Sequence, residues 1–300
     1  MTVQLPTIKP MLASPPKGER PELLRGTHAF DTKLDGIRAM IYWDGAVCYI
    51  TNRTGKHIAH KFPEIENAAN ALGEPCVLDG EIVAASGSFQ DTARRDKQNQ
   101  PGDVAKWMRE IPCVFVAFDV IYKNTDLRPM PFEYRRQQLE LMRLQGPVLT
   151  TSVLSLDPAF FQQVKDLGME GVIAKRLRST YRAGRFSDWI KFKTVRSITA
   201  IGIGYEKGTG AREHFGAMFL ALVDTDGKPV EIGRVGTGFT AQEIDMLKAE
   251  LDAGKPVVCE IEALNKSKDG KLRFPVYKGL RTDLSVLDAR LDQLNELPTM

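Results

Sequence analysis

The stretch AFDTKLDGIRAMIYWDGAVCYIT, from Ala29 to Thr51, decides how this chain folds. Three short runs, Ala29–Thr32, Arg38–Trp43 and Val47–Thr51, carry the apolar, β-branched and aromatic content of strands. Asp35-Gly36 and Asp44-Gly45 separate them. Asp-Gly between alternating runs is a strong hairpin signal, so residues 27–53 read as strand, turn, strand, turn, strand. That pattern predicts an antiparallel sheet.

Working outward, Phe62, Ile65, Ala69 and Leu72 recur at helical spacing and predict a helix over Phe62–Leu72. Cys76–Ala84 reads as a strand pair bent around Asp79-Gly80. Residues 86–109 turn polar and basic, with no clean strand period. Val114–Ile121 is an apolar run broken by Asp119, which fits a buried strand. Phe132–Leu144 and Pro158–Leu167 read as amphipathic helices. Near Thr194–Ser197 the character changes to short strands: Ile198–Tyr205, Ala217–Val223, Val230–Val235 and Pro256–Ala263. One helix, Ala241–Leu251, precedes the last of them. Five or so strands with one helix suit a small open barrel of the oligonucleotide-binding (OB) type, or another small β-domain. The expected division is 1–196 and 197–300.

Three hundred residues suit two domains. No run approaches the roughly 20 apolar residues that span a bilayer, so no membrane partner is expected. Residues 1–10 lack a basic segment followed by an apolar core, so they do not read as a secretion signal. Cys48, Cys76, Cys113 and Cys259 lie far apart among apolar neighbours, which predicts buried, reduced thiols and no zinc cluster. A cytoplasmic location is the expectation. The net charge of +3 permits nucleic-acid binding without requiring it.

The chemistry is carried by Lys33-Leu34-Asp35-Gly36-Ile37-Arg38, Glu170-Gly171-Val172-Ile173-Ala174-Lys175 and Trp189-Ile190-Lys191-Phe192-Lys193. Together they offer a lysine nucleophile, carboxylates for a metal and cations for phosphate. Lysine attacks only when neutral, so its surroundings must lower its pKa. A lone Lys-x-Asp-Gly is more often a surface turn; the order and spacing of the whole set is what points to a site. Lys191 and Lys193 alternate on a predicted strand. If Phe192 points away into the core, both ammonium groups address one phosphate site.

On these motifs the chain resembles the ATP-dependent polynucleotide ligases, within the covalent nucleotidyltransferases that also include RNA ligases and capping enzymes. The resemblance runs from Lys9-Pro10-Met11-Leu12-Ala13 to Arg281-Thr282-Asp283 and is nearest to compact bacterial and phage DNA ligases and to the ligase modules of end-joining enzymes. It implies an α+β fold: an antiparallel, ATP-grasp-like nucleotidyltransferase domain followed by an OB barrel. It also implies ATP, with Mg2+ or Mn2+, and nicked duplex DNA sealed by a monomer.

The resemblance implies a role for each motif. Lys33, exposed by the Asp35-Gly36 turn, is the nucleophile that takes AMP, and Asp31 lies by the adenine. Arg38 and Arg53, the latter in Asn52-Arg53-Thr54-Gly55, hold ribose or phosphate. Glu81 and Glu170 are associated with metal, and a carboxylate pair with few histidines suits hard Mg2+. Phe118 stacks on adenine; taken alone, it reads as core. Lys191 and Lys193 neutralise the α-phosphate and help keep Lys33 deprotonated. Lys175 joins the same electropositive surface, with Arg176 beside it. Relatives end in Arg-x-Asp-Lys; here Arg281-Thr282-Asp283-Leu284 lacks the lysine, leaving Arg281 and Asp283, with Lys278 or Arg273 as substitutes.

The alternatives are an RNA ligase or capping-type enzyme, and a nonenzymatic OB-type nucleic-acid-binding module. The run Thr180-Tyr181-Arg182-Ala183-Gly184-Arg185 favours the DNA ligases, and the intact lysine and carboxylate set argues against a decayed pocket. An NAD-dependent ligase would carry a cysteine cluster. The expectation from the short stretch ahead of Lys33 is that the two domains grip DNA alone, without the extra DNA-binding domain of larger ligases. Arg94, Arg95 and Lys97, in the basic stretch Arg94–Arg109, are the candidate extra contacts, with the loop Lys266–Lys271.

Overall fold

The computed structural model describes residues 3–151, 154–209 and 213–299. The chain divides into two compact units, residues 1–192 and 193–300, four residues ahead of the expected division. The fold class is α+β, with mainly antiparallel sheets, as expected.

The first unit contains β1 (Met11–Ser14), β2 (His28–Thr32), β3 (Ile37–Trp43), β4 (Cys48–Asn52) and helix α1 (Pro63–Ala69). These are followed by β5 (Cys76–Ala84), α2 (Phe89–Asp96), α3 (Pro101–Glu110), β6 (Cys113–Lys123) and α4 (Phe132–Leu141). Next come β7 (Val148–Thr150), β8 (Leu154–Ser155), α5 (Phe160–Asp166), β9 (Gly171–Arg176) and β10 (Gly184–Lys193). They form two five-stranded sheets, ordered β1-β10-β9-β2-β8 and β4-β3-β5-β6-β7. Two edge pairs, β1 with β10 and β6 with β7, are parallel. Met40, Val77 and Ile121 of the second sheet pack with Met11, Tyr181 and Trp189 on the side of the first. Each sheet therefore buries one alternate set of side chains against the other.

The strands of the opening stretch form where expected, but the first turn is not a hairpin. β2 and β3 belong to different sheets, so residues 33–36 cross from one sheet to the other. Only Asp44-Gly45 closes a hairpin, with Trp43 opposite Cys48. Gly36 is needed for room: a Cβ there would sit 2.7 Å from Val83 Cγ1 and 2.9 Å from Glu81 Cγ. Asp79-Gly80 is likewise no turn. β5 runs straight through it, with a bulge against β6 between the two residues. Asp79 is fully buried, and a Cβ on Gly80 would lie 2.7 Å from Phe115 Cε1. In both places Asp-Gly marks a close approach of chains, which short-range spacing cannot distinguish from a turn.

Residues 86–109 are two helices. Ser88 caps α2 by accepting from the Asp91 amide, and Pro101 opens α3, where a missing N–H costs nothing. The inner face of α2 carries Thr92 and Arg95, both wholly buried. Arg95 donates to both oxygens of Glu64 at 2.8 and 3.0 Å.

The second unit contains β11 (Arg196–Glu206), β12 (Ala217–Val223), β13 (Pro229–Val235), α6 (Ala241–Asp252), β14 (Val257–Ala263), β15 (Asn265–Lys266), β16 (Leu272–Arg273) and β17 (Val276–Leu280). Its five-stranded sheet, β13-β12-β11-β14-β17, is antiparallel throughout, and β15 pairs with β16. β14 alternates buried and half-buried residues, and Cys259 and Ile261 join Leu220, Leu222 and Val235 in one core. Thr240 and Glu243 form a capping box that starts α6. These are the parts expected of an OB barrel. All four cysteines are free and buried.

Candidate active site

A cavity of about 220 Å³ opens in the first unit, and most of the anticipated residues line it: Asp31, Lys33, Arg38, Arg53, Glu81, Phe118, Lys175 and Lys191. The register explains the meeting. Lys33 leaves β2 with its amide bonded to Gly171 O at 2.8 Å, which sets it beside Glu170 at the start of β9. Arg38 of β3 lies opposite Glu81 of β5, and both have alternate neighbours on the same face, Met40 and Asp79. Phe118 projects from β6, and Lys191 from β10.

At one end, Lys33 Nζ lies 2.5 Å from Glu170 Oε2; the lysine side chain keeps 22% exposure, the glutamate 7%. Glu81 is half-buried, and burial pushes its carboxyl up to about 7, against the pull of Arg38 and Lys33 and with the push of Asp79 and Glu170. A carboxyl so placed gains from any cation that joins it. Among the described residues no three His, Cys, Asp or Glu side chains converge on one point, so a metal held here would take part of its oxygen shell from water or a phosphate. Arg53 is exposed, and its side chain has no hydrogen bond or ion pair among the described residues. It also lines a second cavity of about 650 Å³, formed by residues 3–10 against β3 and β4.

At the other end, Asp31 and Lys175 are buried together, with Lys175 Nζ 2.8 Å from Asp31 Oδ2. The ammonium lies over the rings of Phe118, Trp189 and Phe132, at 4.4, 4.8 and 5.1 Å. Burial draws its pKa below the usual lysine range, against Asp31 and Asp119, which raise it. Lys175 is therefore caged, not part of an exposed electropositive surface, and the exposed Arg176 pairs with Asp188. Phe118 is half-buried, with an edge-on contact to Trp189 at 6.1 Å, so it is a pocket wall rather than plain core.

Between the ends, Arg38 donates to Asp79 at 2.6 and 2.7 Å and to Met11 O at 2.9 Å. Its guanidinium lies 4.6 Å from the Phe118 ring centre. Tyr181 donates to Asp79 and accepts from the Met11 amide. Asp79 and Tyr181 do not stand out in the sequence, and neither do Trp189 and Arg185, which line the cavity. All four stand inside stretches quoted above, and the buried Asp79 carboxylate between motif residues is the signal that points to Tyr181.

Some expected residues lie elsewhere. Phe192 is buried and Lys191 lines the cavity, but Lys193 is exposed, with its ammonium 5.6 Å from the Phe274 ring centre. Asp35 sits in the crossover, outside the lining. In the second unit, Arg281 grips Asp283 at 2.8 and 2.9 Å and holds that carboxyl down at about 2. Lys278 pairs with Glu262, and Arg273 is buried against Phe274. Of the expected DNA contacts, Arg94 and Lys97 are exposed, but Arg95 is not available, because its guanidinium is buried on Glu64. In the Lys266–Lys271 loop, Lys266 donates to Leu294 O and Lys271 to Glu231 O, while Lys268 is exposed.

Residues 10–193 match the family described as ATP dependent DNA ligase domain. A DNA ligase of Thermococcus onnurineus is 31% identical over 96% of this chain and 58% of its own length. The multifunctional non-homologous end joining protein LigD of Pseudomonas aeruginosa is 29% identical over 93% of this chain and 35% of its own. The chain thus spans only part of these relatives. The solved ligase domain of M. tuberculosis LigD is 25% identical, with a TM-score of 0.55, covering 93% of this chain and 97% of that one. A structure from a study of Lig E DNA ligases, 21% identical, shares the fold with a TM-score of 0.65 over 92% of this chain and all of its own.

Proposed function

Because the chain belongs to the ATP-dependent DNA ligase family, we propose that it seals nicks in duplex DNA through an adenylylated Lys33. The observation that carries this reading is the position of Lys33 Nζ at the cavity wall, 2.5 Å from Glu170, with an aromatic-walled recess at one end and Arg53 and Lys191 in the same lining. A neutral amine is the nucleophile, so the Lys33–Glu170 bond must open, and Glu170 is the acceptor in place for the proton. Lys33 then attacks the α-phosphorus of ATP, and pyrophosphate departs. The AMP passes to the 5′-phosphate of a nick, and the 3′-hydroxyl attacks that phosphate and expels AMP.

Catalysis of such transfers is mostly positioning and charge neutralisation. Phe118 is placed to stack on the base, and Arg53 and Lys191 to meet phosphate oxygens. Glu81 and Glu170 would hold Mg2+ or Mn2+, which supplies positive charge against the phosphate oxygens. Arg281 and Asp283 are assigned to the adenylylation step and Lys193 to phosphate binding on resemblance alone. The substrate is a nicked duplex, the working form a monomer, and the location a reducing cytoplasm, in keeping with four free thiols.

Labelled ATP or GTP, incubated with the protein and followed by denaturing electrophoresis, tests the first step. An adduct from ATP, lost in Lys33→Ala, and its transfer to nicked duplex DNA are expected. No adduct, or one on another residue, ends this reading. Preference for a nicked RNA would move the assignment to the RNA ligases.

A further inference from the structure

Arg53 belongs to two cavities at once. It lines the one that holds Lys33 and the one of about 650 Å³ beneath residues 3–10. The floor of the second is a pair of strands, with Tyr42 of β3 opposite Tyr49 of β4 and Met40 opposite Thr51. Arg38, Met40 and Tyr42 alternate along β3, so this floor continues the row that carries Arg38 into the first cavity. The roof is tied down at two points. The Val3 amide donates to Asp44 O at 3.1 Å. The Tyr42 hydroxyl donates to Ile8 O at 2.9 Å and accepts from the Ile8 amide at 3.4 Å.

Much of this lining is carbon, from Leu5, Pro6, Ile8, Pro10 and the two tyrosine rings. Several of its polar groups are engaged with their own chain. Besides the Tyr42 hydroxyl, Asn52 Oδ1 takes the Thr54 hydroxyl at 2.8 Å and the Thr54 and Lys56 amides at 3.1 and 3.0 Å. Arg53 is the contrast: exposed, with no hydrogen bond or ion pair among the described residues.

We propose that the second cavity receives the sugar of the nucleotide that carries the 5′-phosphate, and that it selects deoxyribose over ribose at that position. The inference rests on the reading that AMP passes from Lys33 to a 5′-phosphate. In the adenylylated strand the two phosphates share one oxygen, so the 5′-phosphate lies at the mouth of the first cavity, where Arg53 stands. The next group along that strand is its own sugar, and the next wall beyond Arg53 is the Tyr42–Tyr49 floor. The base stays paired in the duplex, so only the sugar edge and the backbone enter. Lys9, exposed in the same lining, is placed for the phosphate that follows. The carbon faces of a deoxyribose suit Leu5, Ile8 and the tyrosine rings. A 2′-hydroxyl, the group that distinguishes RNA from DNA at a contact, would meet carbon and polar groups already bonded to one another.

Three nicked duplexes test this: one all DNA, one with a single ribonucleotide at the 5′-phosphate, and one with a single ribonucleotide at the 3′-hydroxyl. In the wild-type protein the first ribonucleotide should lower kcat/KM for sealing by about 10-fold, mostly through KM, because an apolar pocket rejects an added hydroxyl only moderately. The ribonucleotide at the 3′-hydroxyl should cost less. Tyr49 is 52% exposed, so Tyr49→Ala leaves the core intact; it should raise KM for every nick and bring the two sugars at the 5′ side close to parity. Leu5→Asn offers the 2′-hydroxyl a partner and should shrink the same penalty while sealing the all-DNA nick less well. Urea unfolding confirms that each variant is folded, and a changed ribose penalty in either one supports the assignment. Equal sealing of both sugars at the 5′ side by the wild-type protein, a larger penalty at the 3′ side, or a ratio that neither folded variant moves overturns the proposal while adenylylation of Lys33 stands. If the wild-type protein forms no AMP adduct, the ligase reading falls and takes this inference with it.

Discussion

Tyr181 and Asp79, 102 residues apart, meet in a 2.6 Å hydrogen bond beneath the cavity. Arg38 fills the rest of that carboxylate with bonds of 2.6 and 2.7 Å, and Met11 joins through its amide to Tyr181 and its carbonyl to Arg38. Four strands or loops of both sheets are thus fastened around one buried charge. Asp79→Ala would leave Arg38 without its anion and should cost about 3–5 kcal/mol, as breaking a buried pair does. Tyr181→Phe removes one hydroxyl and should cost about 1 kcal/mol. Urea unfolding curves give both numbers. Equal costs would mean that the carboxylate is not the centre of the network.

Lys33→Ala should abolish the AMP adduct and the sealing of an ordinary nick. A nick already carrying AMP should still be sealed in part, since that step needs the grip on phosphate and metal but no lysine nucleophile. Gel assays on the two substrates separate the steps. A normal adduct from the mutant would refute the assignment.

Phe118→Ala should raise the ATP concentration needed for half-maximal adduct formation, because base–aromatic stacking is worth roughly 1–3 kcal/mol. That corresponds to about 5- to 150-fold in affinity. Phe118 also walls the Lys175 cage, so some loss of thermal stability should accompany it. The two effects separate on pre-adenylylated DNA: a folded mutant should seal it at close to the wild-type rate. An unchanged ATP dependence would remove Phe118 from the base site.

How much of the fold and site is legible in the sequence depends on whether the signal is local. Strand alternation and the Asp44-Gly45 hairpin are written in neighbouring residues, and so are the strands and capped helix of the second unit. The crossover at residues 33–36 depends on Gly36 pressing against β5, a partner more than 40 residues away in the chain. The helices α2 and α3 stay hidden because the buried face of α2 is Thr92 and Arg95, and a charged residue reads as solvent-facing until its partner is known. Order and spacing locate the motif residues. What spacing does not reveal is the division of labour among the lysines: Lys175 in a cage, Lys191 at the cavity and Lys193 beside Phe274.

The cysteines carry a prediction of their own. Burial pushes Cys48, Cys76 and Cys259 up to about 12 and Cys113 up to about 11. Only the thiolate reacts readily, so a thiol-exchange reagent at pH 8 should find almost nothing in the native protein and four thiols after denaturation. Fast labelling of even one thiol in the folded state would contradict its burial.

The basic segment of α2 now divides into residues that can touch DNA and one that cannot. Arg94 and Lys97 are exposed, whereas Arg95 is fully buried with both bonds on Glu64, which also accepts from the Cys113 amide. If the exposed pair meets phosphates, Arg94→Ala with Lys97→Ala should weaken binding to nicked duplex. It should also flatten the dependence of log K on log salt by roughly 1–2, because each phosphate no longer neutralised removes about 0.9 from the slope. Adenylylation of Lys33 should stay near normal, because neither residue lines the cavity. Arg95→Ala should behave otherwise: it strands Glu64 and should cost about 3–5 kcal/mol of stability, with no change in salt slope for whatever protein remains folded. Titrations of nicked DNA at several salt concentrations, beside urea unfolding of each variant, decide between them. A slope unchanged in the double mutant would make α2 a bystander and turn attention to Lys268, the exposed lysine of the β15–β16 loop.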